Sequence, residues 1–257
     1  MTAGHDAVTF KGMIVKTVLM AACVVALVGC GGGSDDPLPQ APTQIQSLDV
    51  WKSFLSADRT FVTRGVGTDG ASYEISTSIR PKGAAQFAKD GSAALATYNT
   101  AEVANTVKRN GATYSTSATL FYILPTDFSI AALIDPNGTT TGASCITPAS
   151  SIQTPPVPQT ALLDASGRLF SGASYAYSGD ANRCTFNSVI GAPSHSLTWS
   201  YESDSGKPLF CVNYATAYPG DHRLQSNCFE VVNSSTVGSG ARIYVSAGTL
   251  RLTAKNY

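Results

Sequence analysis

Ser72-Tyr73-Glu74-Ile75-Ser76-Thr77-Ser78-Ile79-Arg80 decides the fold class. In an extended chain Tyr73, Ile75, Thr77 and Ile79 fall on one side, and Ser72, Glu74, Ser76, Ser78 and Arg80 on the other. One buried face and one wet face is the pattern of an antiparallel sheet. The Asp69-Gly70 dipeptide just before it predicts a hairpin with a strand over 60–67.

The same reading extends along the chain. Asn110-Gly111 is the strongest hairpin turn and joins predicted strands 96–108 and 112–123. A further strand over 128–134 ends at Asp135-Pro136-Asn137-Gly138. Residues 136–159 carry Pro148, Pro155, Pro156 and Pro158 and read as a linker or long loop. Strands resume at 169–177, 195–202, 207–216, 226–232, 241–245 and 249–255, and Asp204-Ser205-Gly206 turns the second of these into the third. A short helix opens the domain. Leu48, Trp51 and Leu55 recur at helical spacing beside Phe54, with Ser47 as cap and Asp49 in the first turn. That stripe suits a plug on the end of a sheet or barrel.

The expected fold is mainly β: an antiparallel sandwich or partly open barrel of roughly ten strands, with a short N-terminal helix. Gly70-Ala71-Ser72-Tyr73 recurs as Gly172-Ala173-Ser174-Tyr175, each expected to open a strand. Two similar halves split near 136–160 are therefore one organisation to test. An integral outer-membrane barrel is not expected. Counting back from Tyr257 by twos gives Lys255, Thr253 and Arg251, which cannot face lipid cheaply, whereas Ala254, Leu252 and Leu250 suit a core.

The first part of the chain reads differently. Lys11 and Lys16 precede an apolar run from Val18 to Val28, which ends in Leu27-Val28-Gly29-Cys30. The run is shorter than the ~20 apolar residues of a spanning helix and fits the central region of a signal peptide. Leu27-Val28-Gly29-Cys30 resembles the lipobox of bacterial lipoprotein precursors. The resemblance implies cleavage before Cys30, a diacylglycerol on the Cys30 thiol and an acyl chain such as palmitate on the new amino terminus. Met13 to Cys30 makes a complete short signal, so Met13 is an alternative start.

By this reading residues 1–29 are the signal peptide, 30–44 the lipidated cysteine and a flexible tether, and 45–257 the β domain. Gly31-Gly32-Gly33-Ser34-Asp35-Asp36, stiffened by Pro37, Pro39 and Pro42, has a tether's composition. In the lipoproteins it resembles, an aspartate after the lipidated cysteine favours inner-membrane retention; Gly31 stands there, so the resemblance implies an outer-membrane address, and the periplasmic face is the expected side. The folded part resembles only uncharacterised envelope lipoproteins.

Composition agrees with export. The chain has 17 basic and 17 acidic residues, and charged residues make up only 13% of it, against ~25% in typical soluble domains. Loss of Lys11, Lys16 and Asp6 with the signal leaves one net negative charge. No basic block remains, so nucleic acid is not an expected partner. With Cys23 in the signal and Cys30 lipidated, Cys145, Cys184, Cys211 and Cys228 remain for two disulfides in an oxidising compartment. Cys211 and Cys228 are equidistant from Pro219-Gly220, a turn dipeptide. Folding about it places them opposite each other at ~4.5–5.5 Å between Cβ atoms, near the separation a disulfide needs. Cys145 then pairs with Cys184 across the proline-rich loop. The cysteines lack a C-x-x-C or a neighbouring histidine pattern, so neither a metal site nor a redox site is expected.

Catalytic signatures are missing: there is no G-x-S-x-G, H-E-x-x-H, P-loop or G-x-G-x-x-G. His195 shares strand parity with Leu197, Trp199 and Tyr201, and His195, Trp199 and Tyr201 are the candidate ligand-binding residues. As a structural residue, His195 is a half-buried, hydrogen-bonded histidine at a strand end. His222 falls in a polar turn beside Asp221. Tyr175, Tyr177, Tyr214 and Tyr218 complete a set of aromatics suited either to sheet packing or to stacking on a ligand. The expected function is a non-enzymatic envelope lipoprotein that binds a small ligand or an envelope partner, anchored by its lipid and needing no other cofactor. The alternatives are a hydrolase of envelope carbohydrate or ester, with a site assembled from distant residues, and a purely structural or surface-interaction module.

Overall fold

Strand alternation here builds the wall of a barrel. The structure is a computed structural model describing residues 41–88, 94–135, 144–148, 155–178, 183–218 and 221–257, all within one compact unit, Leu38–Tyr257. At 144, 174–178, 183–193, 218 and 221 only the backbone is described. The lipobox, Cys30 and the glycine-rich tether lie outside the described residues.

The elements are β1 (Gln44–Ile45), α1 (Ser47–Ser56), β2 (Arg59–Val66), β3 (Ser72–Phe87), β4 (Ala96–Arg109), β5 (Ala112–Ile123), β6 (Ile130–Asp135) and β7 (Ser144–Thr147). They continue with β8 (Ala161–Leu162), β9 (Ser166–Ser178), β10 (Arg183–Asp204), β11 (Lys207–Tyr218), β12 (Asp221–Val232), β13 (Thr236–Ala247) and β14 (Leu250–Lys255). β1 and β8 make a separate two-stranded sheet. The other strands form a closed, antiparallel, up-and-down barrel in the ring order β10-β11-β12-β13-β14-β2-β3-β4-β5-β6-β7-β9. Of the two expected architectures the barrel fits, with its ring closed where a partly open one was expected, and the sandwich is corrected. β9 pairs with β10, and β14 reaches β2 through Lys255 opposite Arg64 and a bridge from Gly67 to Leu252.

The ring holds 12 strands, more than the rough expectation. β7 lies within the stretch read as a linker; Ser-Cys-Ile-Thr is too short to show alternation, and Pro148 ends it. β2–β7 and β9–β14 supply the two sides of the one ring. The repeated Gly-Ala-Ser-Tyr quartets occupy unlike places. Gly70 sits in a turn at φ +76°, whereas Gly172 lies inside β9, where a Cβ would come within 2.2 Å of the Thr147 carbonyl oxygen.

Turn chemistry set the hairpins. Asn110-Gly111 (φ 50° and 85°) and Ser205-Gly206 (φ 54° and 78°) both use the left-handed region that a two-residue hairpin turn needs. β3 runs on past Arg80 through a register shift between Pro81 and Gly83, where the bulge accommodates the proline.

The inner face is mainly apolar, with Thr63, Thr77 and His195 among its buried polar residues. Tyr73, Ile75, Thr77 and Ile79 are buried as the alternation requires, with Ser72 and Arg80 exposed outside. This polarity is the reverse of a lipid-facing barrel. α1 packs into one end. Val50, Trp51, Phe54 and Leu55 join Phe61, Ile79, Phe121, Phe210 and Phe229 in one core cluster. Trp51 stacks on Phe54, Phe54 meets Phe229, and the Trp51 indole donates to the Phe128 carbonyl at 2.9 Å. Ser47 does not cap the helix. It is the first helical residue, fully buried, and its hydroxyl donates to the Pro158 carbonyl at 2.6 Å.

Candidate functional site: the outer wall of β10 to β14

Strand parity places His195, Trp199 and Tyr201 together on the inner face of β10. Trp199 and Tyr201 lie opposite Val212 and Phe210 of β11, and all four are buried. Trp199 stacks on Phe210 with centroids 6.0 Å apart, and the Tyr201 hydroxyl donates to the Pro42 carbonyl at 2.5 Å. Both aromatics therefore belong to the packed core.

His195 sits nearer the far end, against β11. Its Nδ1 is 2.5 Å from the Tyr214 hydroxyl and 3.4 Å from Thr216 Oγ1, and the His195 and Tyr214 rings stack. Burial pushes the His195 pKa down to about 4, so the ring is neutral at neutral pH. His222 is exposed near the start of β12, opposite Ala217. The side chains of Tyr175, Tyr177, Cys184, Tyr218 and Asp221 fall outside the described residues.

The charged chemistry lies on the opposite face of the same strands. Cys211 of β11 and Cys228 of β12 face each other in register and are disulfide-bonded. Cys145 of β7 is also disulfide-bonded, and its backbone lies opposite Tyr175, two positions along β9 from the Tyr177 that faces Cys184. The Cys211–Cys228 bridge is fully buried although it points outward, because ion pairs cover it. Arg242 reaches Glu202 at 2.9 Å and Asp204 at 3.2 Å, and its Nη2 lies 3.3 Å from Cys228 Sγ. Glu202 Oε1 approaches Cys211 Sγ to 2.7 Å. A disulfide sulfur carries no proton, so this is a carboxylate–sulfur contact and not a hydrogen bond.

Asp204, at the β10–β11 turn, is the hub. Lys255 contacts it at 2.6 Å, the Tyr257 hydroxyl donates to it at 3.0 Å, and the Ser205 hydroxyl donates at 3.1 Å. Burial alone would raise its pKa, but the hydrogen bonds from Lys255, Tyr257, Ser205 and Arg242 prevail and hold it at about 2. Burial and the Asp204 hydrogen bond push the Tyr257 phenol up. Burial alone would lower the Arg242 pKa, yet Glu202 and Asp204 more than offset this and raise it. Beside this network Lys207 pairs with Glu230 at 2.7 Å.

Next to the network the wall is hollowed. A shallow cavity of about 460 Å³ is bounded by Glu202, Arg242, Asn213, Ser226, Tyr244 and Thr253, with Leu224 at its side. A second hollow, about 570 Å³, lies over β2 and β3 beside Glu74, which takes ion pairs from Arg64 and Lys108. Glu202, Cys211 and Cys228 present ligand atoms within 4.8 Å of one another. Their sulfurs are engaged in the disulfide, so this trio offers no thiolate to a metal.

The sequence did not single out Asp204, Arg242 or Tyr244. The outward parity of Arg251, Thr253 and Lys255 is legible, but their neighbours follow only from the register of five strands. In comparisons with known proteins, no family model, curated protein or solved structure proved similar to this chain.

Proposed function

We propose that this protein is a lipid-anchored component of the bacterial envelope with a non-enzymatic binding role, and that it engages its ligand or partner through the outer wall of the barrel. One observation carries the siting. The inner face at the α1 end is filled by the helix and by Trp199, Tyr201, Phe210 and Phe229, whereas two hollows lie outside, and the one on β10–β14 carries the partly exposed Tyr244 among hydroxyl and amide groups. The wall is one continuously paired sheet tied by the Cys211–Cys228 bridge, and a surface held in place by its backbone limits the ordering cost of binding.

The anchor rests on Leu27-Val28-Gly29-Cys30 and the composition that follows it. The lipid on Cys30 holds the protein to the outer membrane, on the periplasmic face, where the Cys211–Cys228 disulfide is chemically at home. In a bacterial host, labelled palmitate should enter the wild type and not Cys30→Ser, which should accumulate as precursor. Labelling of Cys30→Ser would overturn the anchor. For binding, the purified domain is titrated with fractionated envelope extract while its thermal midpoint is followed. A fraction should raise the midpoint of the wild type and leave Tyr244→Ala unmoved. Turnover of an ester or glycoside, lost in a folded His195→Ala or His222→Ala variant, would replace this reading with the hydrolase.

A further inference from the structure

We propose that the hollow on the outer wall of β10–β14 binds a neutral saccharide, an assignment that rests on the binding reading above and gives it a ligand class. Tyr244 is the anchor. It is partly exposed at the middle of β13 and stands in register with Ser226 of β12 on one side and Thr253 of β14 on the other. Cross-strand neighbours have Cβ atoms ~4.5–5.5 Å apart, so an aromatic ring is flanked by two hydroxyl-bearing side chains on a fixed backbone. Neither the Tyr244 nor the Thr253 hydroxyl makes a hydrogen bond among the described residues. Both are free to bond a ligand.

Charge decides the class. Every charged group of the adjoining network has a partner of opposite sign. Arg242 is paired with Glu202 and Asp204, Lys255 with Asp204, and Lys207 with Glu230. An anion would have to break Arg242 or Lys255 away from carboxylates that already hold them, and a cation would meet the same obstacle in reverse. A neutral ligand meets no such cost. It meets instead both kinds of hydrogen-bonding group: the Glu202 carboxylate as acceptor, the Arg242 guanidinium as donor, and hydroxyls that do both.

A sugar ring matches this surface on both of its sides. Its C–H face is apolar enough to stack on Tyr244, with Leu224, 37% exposed, extending the apolar contact. Its hydroxyls each donate and accept, as the rim requires. Asn213 is already oriented, taking a hydrogen bond from Ser226 at 2.5 Å and giving one to Ser200 at 3.2 Å. The cavity, about 460 Å³, lies within the ~300–1,000 Å³ range of small-ligand sites. The Cys211–Cys228 bridge ties β11 to β12 beneath it.

The test titrates the isotope-labelled mature domain with cellobiose, maltose, lactose and N,N′-diacetylchitobiose, and with sulfate, citrate and a neutral tripeptide as controls. Amide and side-chain shifts are followed by NMR. At least one neutral disaccharide should shift Ser226, Tyr244 and Thr253. Its affinity should fall tenfold or more in Tyr244→Ala and be largely kept in Tyr244→Phe, which retains the ring. A saccharide whose binding is the same in Tyr244→Ala overturns the proposal. So does a hollow that answers none of the four sugars. If the tripeptide or an anion binds there with Tyr244 dependence, only the saccharide assignment falls. If no probe and no envelope fraction shows Tyr244-dependent binding, the outer-wall reading falls as well. Thermal melts of both variants confirm that the fold is retained.

Discussion

Cys211 and Cys228 stand directly opposite each other on β11 and β12, and their bridge closes a loop with a sequence separation of 17. A cross-link of that span limits the freedom of the unfolded chain by about 3 kcal/mol. The Cys211→Ala/Cys228→Ala double variant should unfold at lower urea concentration by about that amount. A loss below ~1 kcal/mol would mean that the ion pairs over the bridge, and not the bridge, hold this hairpin.

Trp51 is fully buried where α1 enters the barrel, and its indole hydrogen bond to Phe128 leaves with it on truncation. Trp51→Ala should destabilise by ~3–5 kcal/mol. The near-ultraviolet circular dichroism of the aromatic cluster should weaken at the same time. An unchanged spectrum and midpoint would place the helix outside the core.

His195 links stability to acid pH. Its folded pKa is held near 4 by burial, below its ordinary value of 6.5. The unfolded chain therefore binds a proton at higher pH than the folded one does. The stability this residue contributes is complete above pH ~6.5 and is lost as the pH falls from there towards 4. In His195→Gln the slope of stability against pH in that window should flatten. Imidazole resonances of His195 titrating near 6.5 in the folded protein would contradict the burial.

Gly65 lies on the seam where β2 meets β14. A Cβ there would stand 2.1 Å from the Thr253 carbonyl oxygen. Gly65→Ala must push the two strands apart, and overpacking of this kind costs ~1–3 kcal/mol. Hydrogen exchange should quicken first at the amides of β14. A silent substitution would show that the seam is looser than its backbone approach implies.

The β class was legible because alternation and turns are local. Ser72–Arg80 declared its faces, Asn110-Gly111 and Ser205-Gly206 their turns, and the pair Cys211 and Cys228 followed from counting outward from one turn. Ring closure was not legible. It depends on β14 meeting β2, a contact between distant parts of the chain, and on β7, which is too short to carry a period. The site was hidden for a related reason. Glu202, Asn213, Ser226, Arg242 and Thr253 lie on five strands, and only the register of all five brings them together. Trp199 and Tyr201 have the composition of a ligand site, but their parity matches Leu197 and the inward face, and burial claims them.

Closure of the ring also governs how many copies can share a surface. Each of the twelve barrel strands has a neighbour on both sides, so no strand of the ring is an edge strand along its whole length. The anchor proposed above would confine the protein to two dimensions and raise its local concentration. A sheet with open edges would invite lateral polymerisation there. A closed cylinder with a polar outer wall can be packed densely and stay a collection of separate molecules, each with its wall available.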